Sequence, residues 1–278
     1  MEDEINSDKI RTFIGDIRDK DRLKRAFENV DIIFHAAALK HVPLCEFNPF
    51  DAVKTNVLGT QNVLDAALDE NVEKLITIST DKAVNPINVM GATKLLSERL
   101  TVSANYYRGD RTTAFSCVRF GNVLNSRGSI IPIFRKQIMN GGPVTVTDPK
   151  MSRFIMHIPD SADLILTAGY MAKGGEIFIL KMPAIKIVDL ADVMIKDLAP
   201  KYGYDPEEIS VEFIGKRSGE KIFEELITDD EVFCLEDKGD LFILNTTKVI
   251  NSGIHNYNSD SVEKLSKREI RAKINDIY

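Results

Sequence analysis

The sequence predicts an α/β protein built around a doubly wound parallel sheet. Over about the first two thirds of the 278 residues, short runs rich in β-branched residues alternate with longer segments of helical periodicity. The links between successive runs are long enough to contain the crossover helices that parallel neighbours require. One run, residues 30–35, is apolar enough to be a strand buried by helices on both faces of the sheet.

The predicted elements follow one another as strand and helix. Strands are expected at residues 9–14, 30–35, 74–79 and 112–118. Helices are expected at residues 19–29, 48–71 and 90–107, where apolar side chains recur near a 3.6-residue period. The first strand ends at Gly15-Asp16, and the loop before the third helix contains Pro86.

Beyond about residue 125 the pattern is less regular and indicates a smaller lobe interleaved with the first. Strands are expected at residues 144–147 and 176–180, and helices at 187–199 and near 260–277. We therefore predict a first domain of residues 1–124 with part of 150–182. The second lobe would be formed mainly by residues 125–278.

The composition argues against several classes of protein. The 36 basic and 42 acidic residues give a formal charge of −6, so non-specific binding of nucleic acid is not expected. No apolar run approaches the ~20 residues of a membrane span, and the polar N-terminal residues do not resemble a signal peptide. Three scattered cysteines and four scattered histidines offer no disulfide framework and no metal-binding spacing. We predict a cytoplasmic protein with no metal, and a hydrogen-bonded core position for His35.

Polar residues follow the predicted strands at the sheet edge where ligands of such folds bind. The segment Thr80-Asp81-Lys82 places a hydroxyl, a carboxylate and an amine side by side, and Lys94 lies one helical turn after Met90. An acid and an amine held together can act as general acid and general base if the site tunes their pKa values. The same residues could instead cap a loop, with Lys94 solvated. The residues alone leave both interpretations open.

Further specific segments are residues 30–43, 55–60, 79–94, 119–123, 128–132 and 216–221. In combination they resemble the extended short-chain dehydrogenase/reductases, and more narrowly their UDP-N-acetylglucosamine 4,6-dehydratase branch. Asp-Lys directly after Ser-Thr, at residues 79–82, distinguishes these dehydratases from the related epimerases. The resemblance covers about residues 10–245. It implies a Rossmann-like cofactor-binding domain followed by a smaller C-terminal substrate lobe.

The resemblance implies conversion of UDP-N-acetylglucosamine to a 4-keto-6-deoxy sugar through bound NADP or NAD, for surface polysaccharide or glycan biosynthesis. Lys82 would abstract the C5 proton while Asp81 protonates the departing 6-hydroxyl group. Thr80 would hydrogen-bond the C4 oxygen, and Lys94 would bond the nicotinamide ribose. An amine desolvated beside a cation can have a pKa low enough for it to act as this base.

The same resemblance assigns residues to cofactor and substrate. The cofactor-binding residues would be Asp16, Ile17, Ala36, Ala38, Lys40, Asn56, Met90, Lys94, Val123 and Arg127. The substrate-binding residues would be Lys40, Asn122, Ile130, Arg153, Arg217 and Glu220. Several of them, with Lys221, could form the local basic cluster that a diphosphate needs in an acidic protein. The family commonly pairs subunits through the helices expected at 48–71 and 90–107, which predicts a homo-oligomer.

Two departures from the family pattern affect the prediction. Met90 stands where most of the superfamily has tyrosine, and a thioether cannot carry the C4 proton, so that role would move to Thr80 or a neighbour. The sequence also lacks a strand, Gly-rich turn and helix able to hold a pyrophosphate, so about two βα units are expected to be missing before Met1.

Such a loss would leave residues 9–14 unpaired and expose the edge of the strand at 30–35. This polypeptide alone is then expected to bind nicotinamide cofactor weakly, and micromolar affinity in a fluorescence titration with NADPH would contradict that. Two alternative functions stay open at this point: a UDP-sugar 4-epimerase, and an inactive, truncated sugar-nucleotide-binding homologue.

Overall fold

The computed structural model describes residues 9–126, 128–246, 248–250, 253, 254 and 257–277. Its strands are β1 (Ile32–His35), β2 (Lys74–Ile78), β3 (Ala114–Arg119), β4 (Asn122–Val123), β5 (Val144–Val146), β6 (Ser152–Met156), β7 (Glu176–Leu180), β8 (Ala184–Lys186), β9 (Val211–Phe213), β10 (Leu235–Asp237) and β11 (Leu241–Asn245). Its α-helices are α1 (Lys20–Phe27), α2 (Val42–Phe47), α3 (Pro49–Ala52), α4 (Thr60–Asp69), α5 (Val89–Tyr107), α6 (Ile130–Met139), α7 (Ile158–Met171), α8 (Ile187–Leu198) and α9 (Lys267–Ile274).

A six-stranded sheet with the order β1-β2-β3-β7-β11-β10 forms the centre of the fold. The first four strands are parallel, and β11 and β10 are added in antiparallel orientation. On one face Leu64 of α4 packs in a buried cluster with Phe115 of β3. On the other face Leu164 of α7 packs with Ile76 and Val118. The predicted parallel sheet with helices on both faces is therefore confirmed, and its order is that of a Rossmann-like α/β fold.

The strand register brings the carboxyl ends of β1, β2 and β3 to one edge. Thr77 of β2 pairs with His35 of β1 on one side and with Cys117 of β3 on the other. The three loops that follow these strands therefore begin side by side. This edge is where open α/β sheets bind their ligands.

The first predicted strand is wrong, since residues 10–14 have no regular secondary structure. Among the described residues, no strand pairs with the outer edge of β1. Ile32 and Phe34 of β1 are 42% and 41% exposed, whereas Ile33 and His35 are buried. The exposed edge was expected, but the interpretation of residues 30–35 as a fully buried strand is wrong, because only the residues facing α4 are covered.

The long helix predicted at residues 48–71 is interrupted in the structure by a π-helical segment. Helix α3 leads into a π-helical segment, Val53–Gly59, which continues as α4. The wider turn matters because it contains Asn56, a buried residue whose amide reaches the loop after β1. Most other predicted elements are confirmed to within two residues at each end, although the terminal helix α9 is much shorter than the expected 260–277.

Beyond residue 125 the described chain contains two helices that the sequence did not predict, α6 and α7, and several unpredicted short strands, β6 and β8 to β11. Phe134 of α6, Met194 of α8 and Ile270 of α9 share a buried cluster that is separate from those of the main sheet. Two small sheets, β4-β6-β8 and β5-β9, accompany it. The predicted boundary between the lobes at residues 124 and 125 stays a prediction.

Among the helices of the described segments, none has both the length and the apolar character that crossing a bilayer requires.

Candidate active site

The loop after β2 holds three polar side chains at the ligand-binding edge of the sheet. The Asp81 backbone N–H donates to the Phe120 carbonyl at 3.1 Å, which ties this loop to the one that follows β3. Thr80 Oγ1 accepts from the Lys82 N–H and donates to Asp81 Oδ1 at 2.6 Å. The hydroxyl is therefore already engaged with the carboxylate.

Asp81 and Lys82 lie in direct contact. Lys82 Nζ is 3.0 Å from Asp81 Oδ1 and 3.3 Å from Oδ2. The Asp81 side chain is fully buried, whereas the Lys82 side chain is 26% exposed and reaches the cleft. Asn122, after β3, accepts from the same amine at 3.4 Å. The amine lines the cleft, and the buried carboxyl contacts it from behind without lining the cleft itself. Thr80 also caps the short turn Asp81–Ala83, so the loop cap and the acid–amine pair occur together.

A second carboxylate, Glu224, faces Lys82 from the opposite side. Its Oε1 atom lies 3.6 Å from Lys82 Nζ and 3.4 Å from Arg153 Nε. Burial disfavours the charge of Lys82, but the carboxylates of Asp81 and Glu224 outweigh burial and raise the pKa of the lysine. The expectation of an amine with a lowered pKa is therefore wrong in this structure, because the two carboxylates raise the pKa more than burial and Arg153 lower it.

Helix α5 delivers Lys94 to the same cleft. Asn88 caps the helix by accepting from the Gly91 N–H, and a Cβ atom at Gly91 would lie 2.3 Å from the Lys82 carbonyl. Glycine is therefore required for α5 to approach the Asp81–Lys82 loop so closely. Lys94 Nζ donates to the Ile78 carbonyl at 2.6 Å, and burial lowers the pKa of this amine. Met90 is buried one turn earlier.

Three neighbouring cavities of about 450, 260 and 220 Å³ form one cleft through shared lining residues. The first and third share Lys82, the first and second share Asn122, and the second and third share Arg217. Together they approach the size of a small-molecule site. The sequence-predicted residues that line it are Ala36, Ala38, Lys40, Thr80, Lys82, Met90, Lys94, Asn122, Val123, Ile130, Arg153, Arg217 and Glu220.

Other predicted site residues do not line these cavities. Asp16 is exposed and paired with Arg18, which lowers the pKa of its carboxyl to about 2. Ile17 packs at Gly59 instead. Asn56 is buried and holds both the N–H and the carbonyl of Leu39, so it positions the loop after β1. Arg127 lies outside the described residues.

The residues of the predicted basic cluster differ in whether their side-chain donors are already hydrogen-bonded within the protein. Arg153 donates to the carbonyls of Ser152, Lys221 and Ile222, so its guanidinium is largely engaged within the protein. Arg217 is exposed at the cleft and makes no side-chain hydrogen bond to any described residue. Arg217 is therefore better placed than Arg153 to meet an anionic group.

Glu224 is the site residue that the sequence analysis missed. It lies in a segment without helix or strand, so neither a 3.6-residue nor a two-residue period could place it beside Lys82. Its backbone N–H donates to Ser259 Oγ, a contact between residues far apart in the chain. The only sequence signal was its position just after the predicted 216–221 segment.

His35, at the end of β1, is a hydrogen-bonded core residue as predicted. Its Nε2 atom lies 3.0 Å from Thr60 Oγ1, and burial, aided by the charge of Lys94, lowers its pKa from 6.5 to about 4. The folded protein therefore binds this proton less readily than the unfolded chain, so the contribution of neutral His35 is complete above about pH 6.5. It is lost as the pH falls towards 4.

We expect the free energy of unfolding to fall by about 3 kcal/mol more in the wild type than in a His35→Gln variant over this interval. Urea unfolding at several pH values between 4 and 7 measures the difference. Parallel pH dependences of the two proteins would contradict the role of His35.

We compared the chain with family models, with curated proteins and with solved structures. A family model described as polysaccharide biosynthesis protein matches residues 1–246. An uncharacterized membrane protein of Methanocaldococcus jannaschii is 62% identical over 279 residues, covering 100% of this chain and 84% of the relative. An inverting UDP-N-acetylglucosamine 4,6-dehydratase of Campylobacter jejuni is 45% identical over 228 residues, covering 82% of this chain but only 65% of the relative.

A UDP-glucose 4-epimerase of Rickettsia felis is 40% identical over 280 residues, covering 96% of this chain and 80% of the relative. Among solved structures, that of Pen from Bacillus thuringiensis is 46% identical with a TM-score of 0.93, covering 99% of this chain and 84% of Pen. Nucleotide-sugar dehydratases and epimerases are thus both among the relatives. Because the family model matches most of the chain, this protein belongs to the polysaccharide biosynthesis protein family.

Proposed function

We propose that the protein is a nucleotide-sugar 4,6-dehydratase that acts on UDP-N-acetylglucosamine. The observation that supports this most directly is the contact of the buried Asp81 carboxyl with Lys82 Nζ at 3.0 Å, beside the Thr80 hydroxyl. Loss of water across C5 and C6 needs a base at C5 and an acid at O6, and this pair can supply both. The dehydratase of Campylobacter jejuni supports the substrate, although the chain spans only 65% of its length.

The cleft has features that fit a nicotinamide cofactor. Ala36 and Ala38, directly after β1, offer short side chains along one cavity. The buried Lys94 amine, whose described partner is the Ile78 carbonyl, retains N–H groups for ribose hydroxyls. The chemistry that a bound nicotinamide would supply is reversible hydride transfer, which the reaction needs at C4 and C6 of the sugar. NAD and NADP both fit this description.

The residues of the loop after β2 would move the protons. Met90 has no ionisable group, so Thr80 would take the proton from the C4 hydroxyl and pass its own to Asp81 over the 2.6 Å hydrogen bond. Asp81 would then be a neutral acid and could protonate the departing O6. Lys82 would remove the C5 proton and later return a proton to C5. The C4 hydroxyl proton thus leaves in the released water, so the proton count balances.

Recognition of the diphosphate would rest on Arg217 and Lys40. Both are exposed at the cleft, and both keep their donors free of described partners. Asn122 and Glu220 would contact the sugar and ribose hydroxyls, since they line the junction of the cavities. Arginine offers a planar fork to a phosphate, so we expect Arg217 to contribute more than Lys40.

Incubation of the complete protein with UDP-N-acetylglucosamine and either cofactor tests the proposal. We expect a product lighter by one water molecule, with a methyl group at C6 by NMR, and incorporation of one deuterium at C5 in deuterated water. Binding of the UDP-sugar without any such product would contradict dehydration and favour a silent binding protein. Conversion to a C4 epimer alone would favour the alternative supported by the Rickettsia felis relative.

We further propose that the protein forms a homo-oligomer through α3, α4 and α5 with the intervening π-helical segment. Exposed apolar side chains occur along this surface: Phe50 is 64% exposed, Leu58 52% and Leu96 50%. Apolar side chains at such exposure favour an interface. Sedimentation analysis of a Phe50→Glu variant, expected to dissociate, tests this assignment, and an unchanged sedimentation coefficient would contradict it.

A further inference from the structure

Glu224 has no role in the scheme above, although it is part of the same charge cluster. The residue is 3% exposed, and its Oε1 atom faces both Lys82 and Arg153. Its Oε2 atom is buried and accepts no hydrogen bond from the described residues. A buried carboxylate oxygen that accepts no hydrogen bond is unusual. This oxygen can therefore still accept a proton.

This inference rests on the proposed dehydratase function. The balance of protons in that reaction requires an acceptor for the proton of Lys82. Once the C4 hydroxyl proton has reached Asp81, that residue can accept no second proton. Lys82 must nevertheless lose its own proton before it can act as the base at C5. Arg153 is a cation and cannot take it, whereas Glu224 Oε1 lies 3.6 Å from Lys82 Nζ.

We propose that Glu224 is a positioning residue that holds the Lys82 amine beside Asp81 and receives its proton when Lys82 becomes the base. The N–H bond of Lys82 breaks as an O–H bond forms on Glu224, and no proton leaves the cluster. After C5 is reprotonated, Lys82 recovers its proton from Glu224. The site then returns to its starting charge.

The surrounding charges favour this transfer. Asp81 and Glu224 raise the pKa of Lys82, whereas burial and Arg153 lower it. When Asp81 is neutralised, one of the two raising contributions disappears and the lowering ones remain. Of the other charged groups in the Glu224 segment, Glu220 shares Arg153 with Glu224, Lys221 pairs with Glu225, and Arg217 extends into the cleft.

The test is a Glu224→Gln variant of the complete protein, with Glu225→Gln as a matched control. Glutamine keeps the size of the side chain but cannot take up the proton. Glu225 is the next residue and pairs with Lys221, so the control removes an equal charge one position away. We expect Glu224→Gln to slow dehydration at neutral pH by about tenfold, with kcat now rising as the pH increases. The control should keep the wild-type pH profile.

A second measurement needs neither substrate nor cofactor. The rate at which an amine-acylating reagent labels Lys82, located by mass spectrometry, should reach its midpoint at a lower pH in Glu224→Gln than in the wild type or in Glu225→Gln. If Glu224→Gln fails to fold in a thermal scan, Glu224→Asp replaces it. That variant keeps a proton acceptor and should be slower without a change in the shape of its pH profile.

The outcomes separate the two proposals. An unchanged labelling midpoint together with a pH profile parallel to that of the wild type would overturn the role of Glu224. For the Glu224→Asp variant, a changed profile would do the same. A shifted labelling midpoint in a protein that releases no water from UDP-N-acetylglucosamine would support the pairing of Glu224 with Lys82 while refuting the dehydratase function.

Discussion

Replacing Asp81 by asparagine is expected to slow the release of water from UDP-N-acetylglucosamine by about 10²- to 10⁴-fold. The amide can still accept the hydrogen bond from Thr80, but it cannot carry the proton that O6 needs on departure. The hydride transfer from C4 should slow as well, because Thr80 passes the C4 hydroxyl proton to Asp81 in the proposed scheme. Product formation and transient appearance of reduced cofactor, followed in parallel, separate the two steps.

Two comparisons make this prediction specific. Asp229→Asn changes an exposed carboxylate outside the cleft and should leave both steps unchanged. Thermal unfolding checks that the fully buried Asp81 position accepts the isosteric amide. If the wild type interconverts C4 epimers and Asp81→Asn retains that activity in full, the protein is a 4-epimerase and the proposed acid is not required.

The sequence was sufficient for the parts of the fold that depend on local patterns. The strand at Glu176–Leu180 has the predicted ends, and the parallel pairing followed from the length of the crossovers. Helix α7 was missed because Pro159 and a mixed polar pattern hide its start, although Pro at the first turn is compatible with a helix. Residues 10–14 have strand-like composition, but a strand also needs a neighbour, which composition cannot provide.

In the candidate site too, the features that depend on neighbouring residues were predictable and those that depend on tertiary structure were not. The proximity of Asp81 and Lys82 followed from their adjacency in the chain, whereas the contact of their side chains depends on the short 3₁₀ turn Asp81–Ala83. The raised pKa of Lys82 was not predictable, because Glu224 adds to the effect of Asp81 against burial and arrives from a segment more than a hundred residues away in the sequence. Arg153 likewise faces inward because it donates to the carbonyl of its neighbour Ser152 and to the carbonyls of Lys221 and Ile222 in a distant segment. Charges brought together by tertiary structure leave no local periodicity to detect.

A buried ion-pair cluster next to the site carries the largest expected effect on stability. Arg119, at the end of β3, is 1% exposed and donates to Glu98 on α5 and to Glu231, with distances from 2.5 to 3.2 Å. It also donates to the Leu226 carbonyl at 2.8 Å. Burial opposes the charge of Arg119, but the two carboxylates outweigh it and raise the pKa of the guanidinium. Arg119 thereby joins β3 and α5 to the segment that follows Glu224.

We expect Arg119→Met to lower the free energy of unfolding by about 3–5 kcal/mol, because it leaves the buried Glu98 without its cation and Glu231 with only the exposed Arg99 at 3.6 Å. Urea unfolding at neutral pH measures the loss. Arg18→Met is the matched control, since Arg18 makes a similar forked contact with Asp16 but on an exposed surface, and its stability should stay close to that of the wild type.

A triple variant of Arg119→Met with Glu98→Gln and Glu231→Gln distinguishes the lost cation from lost packing. Removing both carboxylate charges removes the uncompensated burial, so the triple variant should recover most of the stability that Arg119→Met alone loses. Lys82 should then be labelled at the same pH as in the wild type, since neither glutamate faces its amine. If the triple variant is as unstable as the single one, the long side chain of Arg119 stabilises the fold by filling space between β3, α5 and the residues after Glu224, and its charge contributes little.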